Sequence, residues 1–383
     1  MLARIPETAT PAIMTSPRPT TYWDYIHVED LLSLQGGLPG ESAAPSNDEV
    51  LFITVHQIYE LWFQLILREL RFARDLFGKE TVQEQELSGA VSSLRRISTI
   101  LTVAADHFQV METLPTREYL EFRKKLIPAS GGQSAQMRQI EVLFGLDERD
   151  RVLLGEKDWH MNILREPDGS EGPALKRVVD QMKDGPSLKG AIEAWLLRTP
   201  IDGVAHDDPD AEVALESFIT RYLAAHRSEV EANLEHSKGI LEGGAAHEDL
   251  EKRYRWEAKS AEEFLRPSED HGGARLARIR AAMVFIETYR EVPLLAWPRE
   301  VLNELIKVEQ RFLIYRQRHA RMVERIIGSR TGTGGSEGVK YLDETALRYR
   351  IFRDLWAVRT LMIRPGATPD LERPEFYGFR GDG

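Results

Sequence analysis

The 383-residue chain contains no cysteine, and that absence removes disulfides, thiolate nucleophiles, cysteine zinc sites, iron–sulfur clusters and covalent c-type haem attachment. Any metal must therefore be held by histidine or carboxylate. Positive charge is also short: 50 Lys and Arg against 61 Asp and Glu leave a net charge of −11, which disfavours nucleic acid and anionic membrane surfaces as partners. The first twenty residues carry four prolines and no apolar run of signal-peptide length. No other stretch is expected to span a bilayer, so a cytoplasmic protein is expected.

Alternating strand-like runs are missing too. From Tyr22 onward the apolar residues recur at three- and four-residue intervals, which predicts an all-α fold. Ser46 and Glu49 in "SNDE" have the spacing of a capping box and start a helix that runs to about Phe77, with Gly78 as its stop. Further helices are expected over 84–109, 116–126, 132–145, 174–195, 209–243, 248–265, 273–291, 298–328 and 344–362. The expected organisation is a flexible arm over 1–20, one helical domain over 21–365 and a tail over 366–383 that packs on the surface or on a neighbour.

"LFITVHQIYELWFQLILREL", residues 51–70, places His56 on a helix face with Phe52, Tyr59 and Phe63. The helix reads as apolar nearly all round until Arg68, so it is expected inside the protein, where a buried imidazole must find a hydrogen-bond partner. A core histidine satisfied by a backbone carbonyl is the plain structural alternative. The helix from Pro298 carries a second histidine, His319, in a stripe of Val301, Leu305, Val308, Phe312, Tyr315, Met322 and Ile326. Arg316, Arg318, Arg321 and Arg325 form a basic belt on its other faces.

Directly after that helix comes "GSRTGTGGSEG", five glycines in eleven residues. Such a segment suits a C-cap followed by a loop whose backbone approaches a ligand closely, or else a surface linker. It lacks the Gly-Lys-Ser/Thr ending of a phosphate-binding loop. Residues 118–141 add an apolar face of Tyr119, Phe122 and Leu126 with Arg123 beside it. A planar guanidinium among aromatics suits a carboxylate, although surface arginines are commoner than clamps.

Four segments, "TTYWDYIHVEDLLSLQ", "NDEVLFITVHQIYELWFQLILREL", "EYLEFRKKLIPASGGQSAQMRQIE" and "RHARMVERIIGSRTGTGGSEGVKYL", together resemble the tryptophan 2,3-dioxygenase family, in order and across most of the chain. The resemblance implies a helical fold around a non-covalent haem b, with His319 as proximal iron ligand and Gly332 and Gly334 beside the cofactor. It implies His56 on the opposite side as catalytic residue, accepting the indole N–H of L-tryptophan. Phe52, Tyr119, Arg123, Leu126, Ser130 and Thr333 are implied as the substrate pocket, with Arg123 on the carboxylate. It also implies a cytoplasmic homotetramer in which Tyr22, Tyr25 and Ile26 reach a neighbouring subunit's site, with no nucleic acid or membrane partner.

The implied reaction uses O2 to open the indole C2–C3 bond and gives N-formylkynurenine. A related haem monooxygenase that inserts one oxygen into a tryptophan derivative is the alternative. Gly132, Met137 and Glu337 depart from the residues common in the family, which leaves room for a substituted tryptophan.

Overall fold

The computed structural model describes residues 20–40, 43–152, 159–241, 243–333 and 338–378. The expected arm thus lies outside the described residues but for Thr20. By internal contacts the chain divides into Met1–Thr54 and Val55–Gly383. Among the described residues of the first unit are two short helices, Tyr22–Tyr25 and Val28–Leu32. Thr21 caps the first of these by accepting the Asp24 N–H at 3.1 Å.

Twelve longer helices carry the fold: α1 (Asn47–Phe77), α2 (Glu84–Met111), α3 (Thr116–Leu126), α4 (Ala135–Phe144), α5 (Pro173–Lys183), α6 (Leu188–Leu197), α7 (Ala211–Ile240), α8 (Ala245–Leu265), α9 (Gly273–Thr288), α10 (Ala296–Ile327), α11 (Val339–Arg348) and α12 (Arg353–Leu361). Among the described residues there is no strand, only an isolated bridge between Ile201 and Val204. The all-α expectation holds. The Ser46 cap is formed as well, its hydroxyl accepting the Glu49 N–H at 3.2 Å.

The second unit is organised on α2 and α10, which pack along their length. Ala90, Leu94, Ile97, Leu101, Ala104 and Phe108 of α2 and Val301, Leu305, Val308 and Phe312 of α10 are all buried. Each such large apolar side chain contributes roughly 1.5–3 kcal/mol on burial. Around this pair, α4 packs on α5, α6 on α9, α7 on α8, and α11 and α3 on α10.

Two helices expected as continuous are broken. The stretch from 174 divides at "DGPS", where Pro186 removes a donor and Ser187 caps α6 by accepting the Gly190 N–H at 3.2 Å. The stretch from 344 divides between α11 and α12. There the buried Glu309 carboxylate of α10 accepts the backbone N–H groups of Ile351 and, at 2.8 Å, Phe352.

α1 corrects two expectations. Its buried stripe runs through Val55, Tyr59, Phe63, Ile66 and Leu70, whereas Leu61 and Phe72 are about half exposed at 51% and 53%. The helix is therefore not enclosed all round. By length and composition it is also long and apolar enough to cross a membrane, which the reading of the sequence had not anticipated.

The C-terminal residues pack on their own chain. Tyr377 is buried, its hydroxyl accepting the Gly203 N–H at 2.8 Å and donating to the Pro200 carbonyl at 3.1 Å. Gly203 has φ +72°, and a Cβ there would meet Phe376 Cβ at 3.1 Å, so glycine is what lets the tail come this close.

Candidate active site

His319 lies two turns before the end of α10, in a cage of rings that the α1, α2 and α10 stripes bring together. Phe108 stacks on it at 5.4 Å and 17°, and Tyr315, one turn earlier, at 6.4 Å and 20°. Tyr59 closes the cage from α1, 5.0 Å from Phe108 and 6.1 Å from Tyr315. A little of the His319 side chain remains solvent-accessible, yet protein surrounds the rest.

Burial pushes the imidazole pKa down to about 4, with the charges of His56 and Arg316 adding to the effect. At neutral pH His319 is therefore uncharged, with a ring nitrogen able to bind a metal.

His56 is exposed, not buried as expected. The buried stripe keeps Tyr59 and Phe63 of the face that the spacing suggested, but in this turn its residue is Val55 rather than His56. Its charge nevertheless acts on His319.

Arg316 enters the same region from behind. It donates to Glu141 at 2.6 Å, with its guanidinium 4.5 Å from the Phe312 ring and 4.7 Å from the Tyr349 ring. Arg138 and Arg151 also donate to the fully buried Glu141, each at 2.9 Å. Burial alone would raise that carboxyl, but the three arginines outweigh it and hold it at about 2. Part of the basic belt is thus structural: Arg316 is in this cluster, and Arg321 pairs with Asp343 at 2.5 Å.

On α3, Tyr119 and Phe122 are buried and meet edge to face at 5.5 Å. Burial raises the Tyr119 hydroxyl, and the charge and hydrogen bond of Arg123 temper the rise. Arg123 also donates to the Thr331 carbonyl, which brings α3 and the glycine-rich segment together. Its Nε is buried with no hydrogen-bond partner, a donor that costs free energy until something accepts from it.

Thr333, Gly332 and Leu126 are half-buried, while Gly334 and Glu337 lie outside the described residues. Ser130 is partly committed to its own turn, its hydroxyl accepting the Gly132 N–H at 3.2 Å. Gly132 lies under Trp159 and Ile163, since a Cβ there would meet an atom of each at 3.2 Å. In the first unit Phe52 is half-buried, and Tyr22, Tyr25 and Ile26 are exposed.

Reasoning from sequence missed Phe108, which has no polar signal and stands on another helix. It also missed Thr331, because backbone carbonyls leave no trace in residue identity.

Fold and site together define a class: an all-α protein with one uncharged histidine donor in an aromatic cage and an arginine held open beside a glycine-rich turn. The family profile of tryptophan 2,3-dioxygenase matches residues 7–362. A tryptophan 2,3-dioxygenase of Sorangium cellulosum is 51% identical over 94% of this chain and 87% of its own length. A protein of Ralstonia nicotianae named tryptophan 2,3-dioxygenase 2 is 47% identical over 94% and 98%, and tryptophan 2,3-dioxygenase B of Danio rerio 32% over 94% and 85%. The chain belongs to the tryptophan 2,3-dioxygenase family and is an oxidoreductase of that type.

Proposed function

We propose that the chain binds a b-type haem and, with O2, opens the C2–C3 bond of L-tryptophan or a substituted tryptophan to give N-formylkynurenine. The observation that carries this reading is His319, an imidazole kept uncharged by burial inside a cage of flat rings. Among the described residues no three His, Asp or Glu side chains converge as a metal site. A single imidazole is the protein donor that a porphyrin iron takes on one side, and the residues present fit that group. When bound, haem supplies the activation of dioxygen, chemistry that no side chain here provides.

The chain's own residues orient the substrate. Arg123 has a buried, unpartnered Nε that a substrate carboxylate satisfies. Thr333, close in sequence to the Thr331 that Arg123 engages, binds the ammonium or carboxylate, and Ser130 keeps its O–H free to donate. His56, exposed on α1, accepts the indole N1–H and sets which edge of the ring faces the oxygen. Tyr119 and Leu126 cover the apolar ring, and Gly332 allows the loop backbone to come close to the haem. Fixing the amino-acid end turns a bimolecular encounter into an oriented one.

The same reading takes the protein as a cytoplasmic homotetramer in which Tyr22, Tyr25 and Ile26, exposed in one chain, complete a neighbour's pocket.

The test is turnover of L-tryptophan by the reduced, haem-loaded protein under isotopically labelled dioxygen. Two labelled atoms in one molecule of product are expected; a single labelled atom would establish the monooxygenase instead. His319→Ala is expected to lose haem, and full occupancy with an unchanged haem spectrum would remove His319 from the iron.

A further inference from the structure

A second cleft, of about 430 Å³, opens between α6, α9, the 147–150 turn and the start of α12. Its size is in the range of small-molecule sites. None of the residues assigned to the tryptophan site lines it. Its floor is apolar: Ile192, Met283, Phe352 and Leu355 are all buried beneath it.

The rim is charged, and most of that charge cancels. Arg149 pairs with Asp147 at 2.6 Å, Arg353 with Asp150 at 2.8 Å, Arg280 with Asp354 at 2.9 Å, and Lys189 with Glu193 at 3.9 Å. Arg350 remains. It is half-buried, lies 5.6 Å over the Trp356 ring, and among the described residues has no carboxylate partner. The first turn of α12 also lines the cleft, its start already capped by the Glu309 carboxylate.

We propose that this cleft binds a small amphiphilic monoanion, a carboxylate on a one- or two-ring apolar body, with Arg350 taking the carboxylate and the apolar floor taking the body. A planar guanidinium beside an apolar surface favours such a ligand over a neutral analogue, because the charge-assisted bonds form where water is partly excluded. The cleft also has a mechanical connection to the His319 helix. Ile351 and Phe352 line it, and their backbone N–H groups are those held by Glu309 of α10.

The test is calorimetric titration of the full-length protein with 3-phenylpropionate and with the neutral 3-phenylpropanamide. Binding of the acid is expected to persist in Arg123→Ala, which disables the tryptophan clamp, and to weaken at least tenfold for the amide and in Arg350→Gln. Ile192→Trp, which fills the floor, is expected to abolish it while Arg350→Gln and wild type keep the same melting temperature. Loss of binding in Arg123→Ala with retention in Arg350→Gln would assign the acid to the tryptophan pocket and overturn the proposal. So would the absence of any binding heat at millimolar acid. Neither outcome bears on whether the protein turns over tryptophan.

Discussion

Arg123 shows how a single side chain is prepared for a ligand before one arrives. One terminal nitrogen is spent on the Thr331 carbonyl, which fixes the guanidinium, while Nε stays buried and unpartnered. Arg123→Ala is expected to weaken tryptophan binding by about 2–5 kcal/mol, the usual cost of truncating one member of a buried charge pair; spectral titration of the haem protein measures it, and unchanged affinity would remove the clamp. Arg123→Lys should rescue little, since an ammonium has no planar fork. The spacing around Arg123 was legible in the sequence, because Tyr119 and Phe122 mark an apolar face next to it. The unsatisfied Nε was not, because that depends on what surrounds the side chain. His56 is the converse. Its helix was legible, but that Val55 is buried in this turn while His56 is exposed is a tertiary outcome.

At the level of elements, Glu141 fastens α4 to α10 behind His319. Its carboxyl titrates at about 2 in the folded chain against 4.5 as the ordinary value. Between those values the unfolded chain binds the proton and the folded chain does not, so stability from this site is complete above pH 4.5 and is lost as the pH falls towards 2. About 1.4 kcal/mol per unit of separation sets the scale of the loss, about 3 kcal/mol. Glu141→Gln is expected to destabilise by about 3–5 kcal/mol, because the buried guanidinium groups lose their counter-charge. Denaturant melts across acid pH would show both effects, and an unchanged acid limb in the variant would show that Glu141 is not its source.

Gly132 gives a second prediction at this scale. Gly132→Phe drives a ring into Trp159 and Ile163 and should cost about 1–3 kcal/mol through overpacking. Trp159→Ala in the same chain should recover part of that in a thermal melt. The break between α11 and α12 belongs here as well: residues 344–362 have continuous helical spacing, and the interruption comes from Glu309, forty-two residues from Ile351 along the chain.

Across the whole molecule, the tail closes on the chain it belongs to. Tyr377→Phe removes the hydroxyl that serves both Gly203 and Pro200, and losing those two part-buried hydrogen bonds should cost about 1–3 kcal/mol. Chemical denaturation checks this, and a variant as stable as the parent would mean that the hydroxyl contributes nothing. The aromatics of the tail hinted at packing somewhere. Only tertiary contacts showed that they meet the 200–204 turn and α9.

By itself the sequence determined the helical class, most helix limits, the absence of thiolate chemistry and the two histidines with their arginine and glycine-rich companions. Those properties follow from local spacing, capping and residue chemistry, each readable within a few turns of chain. Tertiary structure alone decided that the His319 imidazole is uncharged, that Phe108 stacks on it, and that Leu61 and Phe72 of α1 stand half exposed. These depend on which surfaces meet, since burial and the balance of charges around a group are set by neighbours from distant parts of the chain.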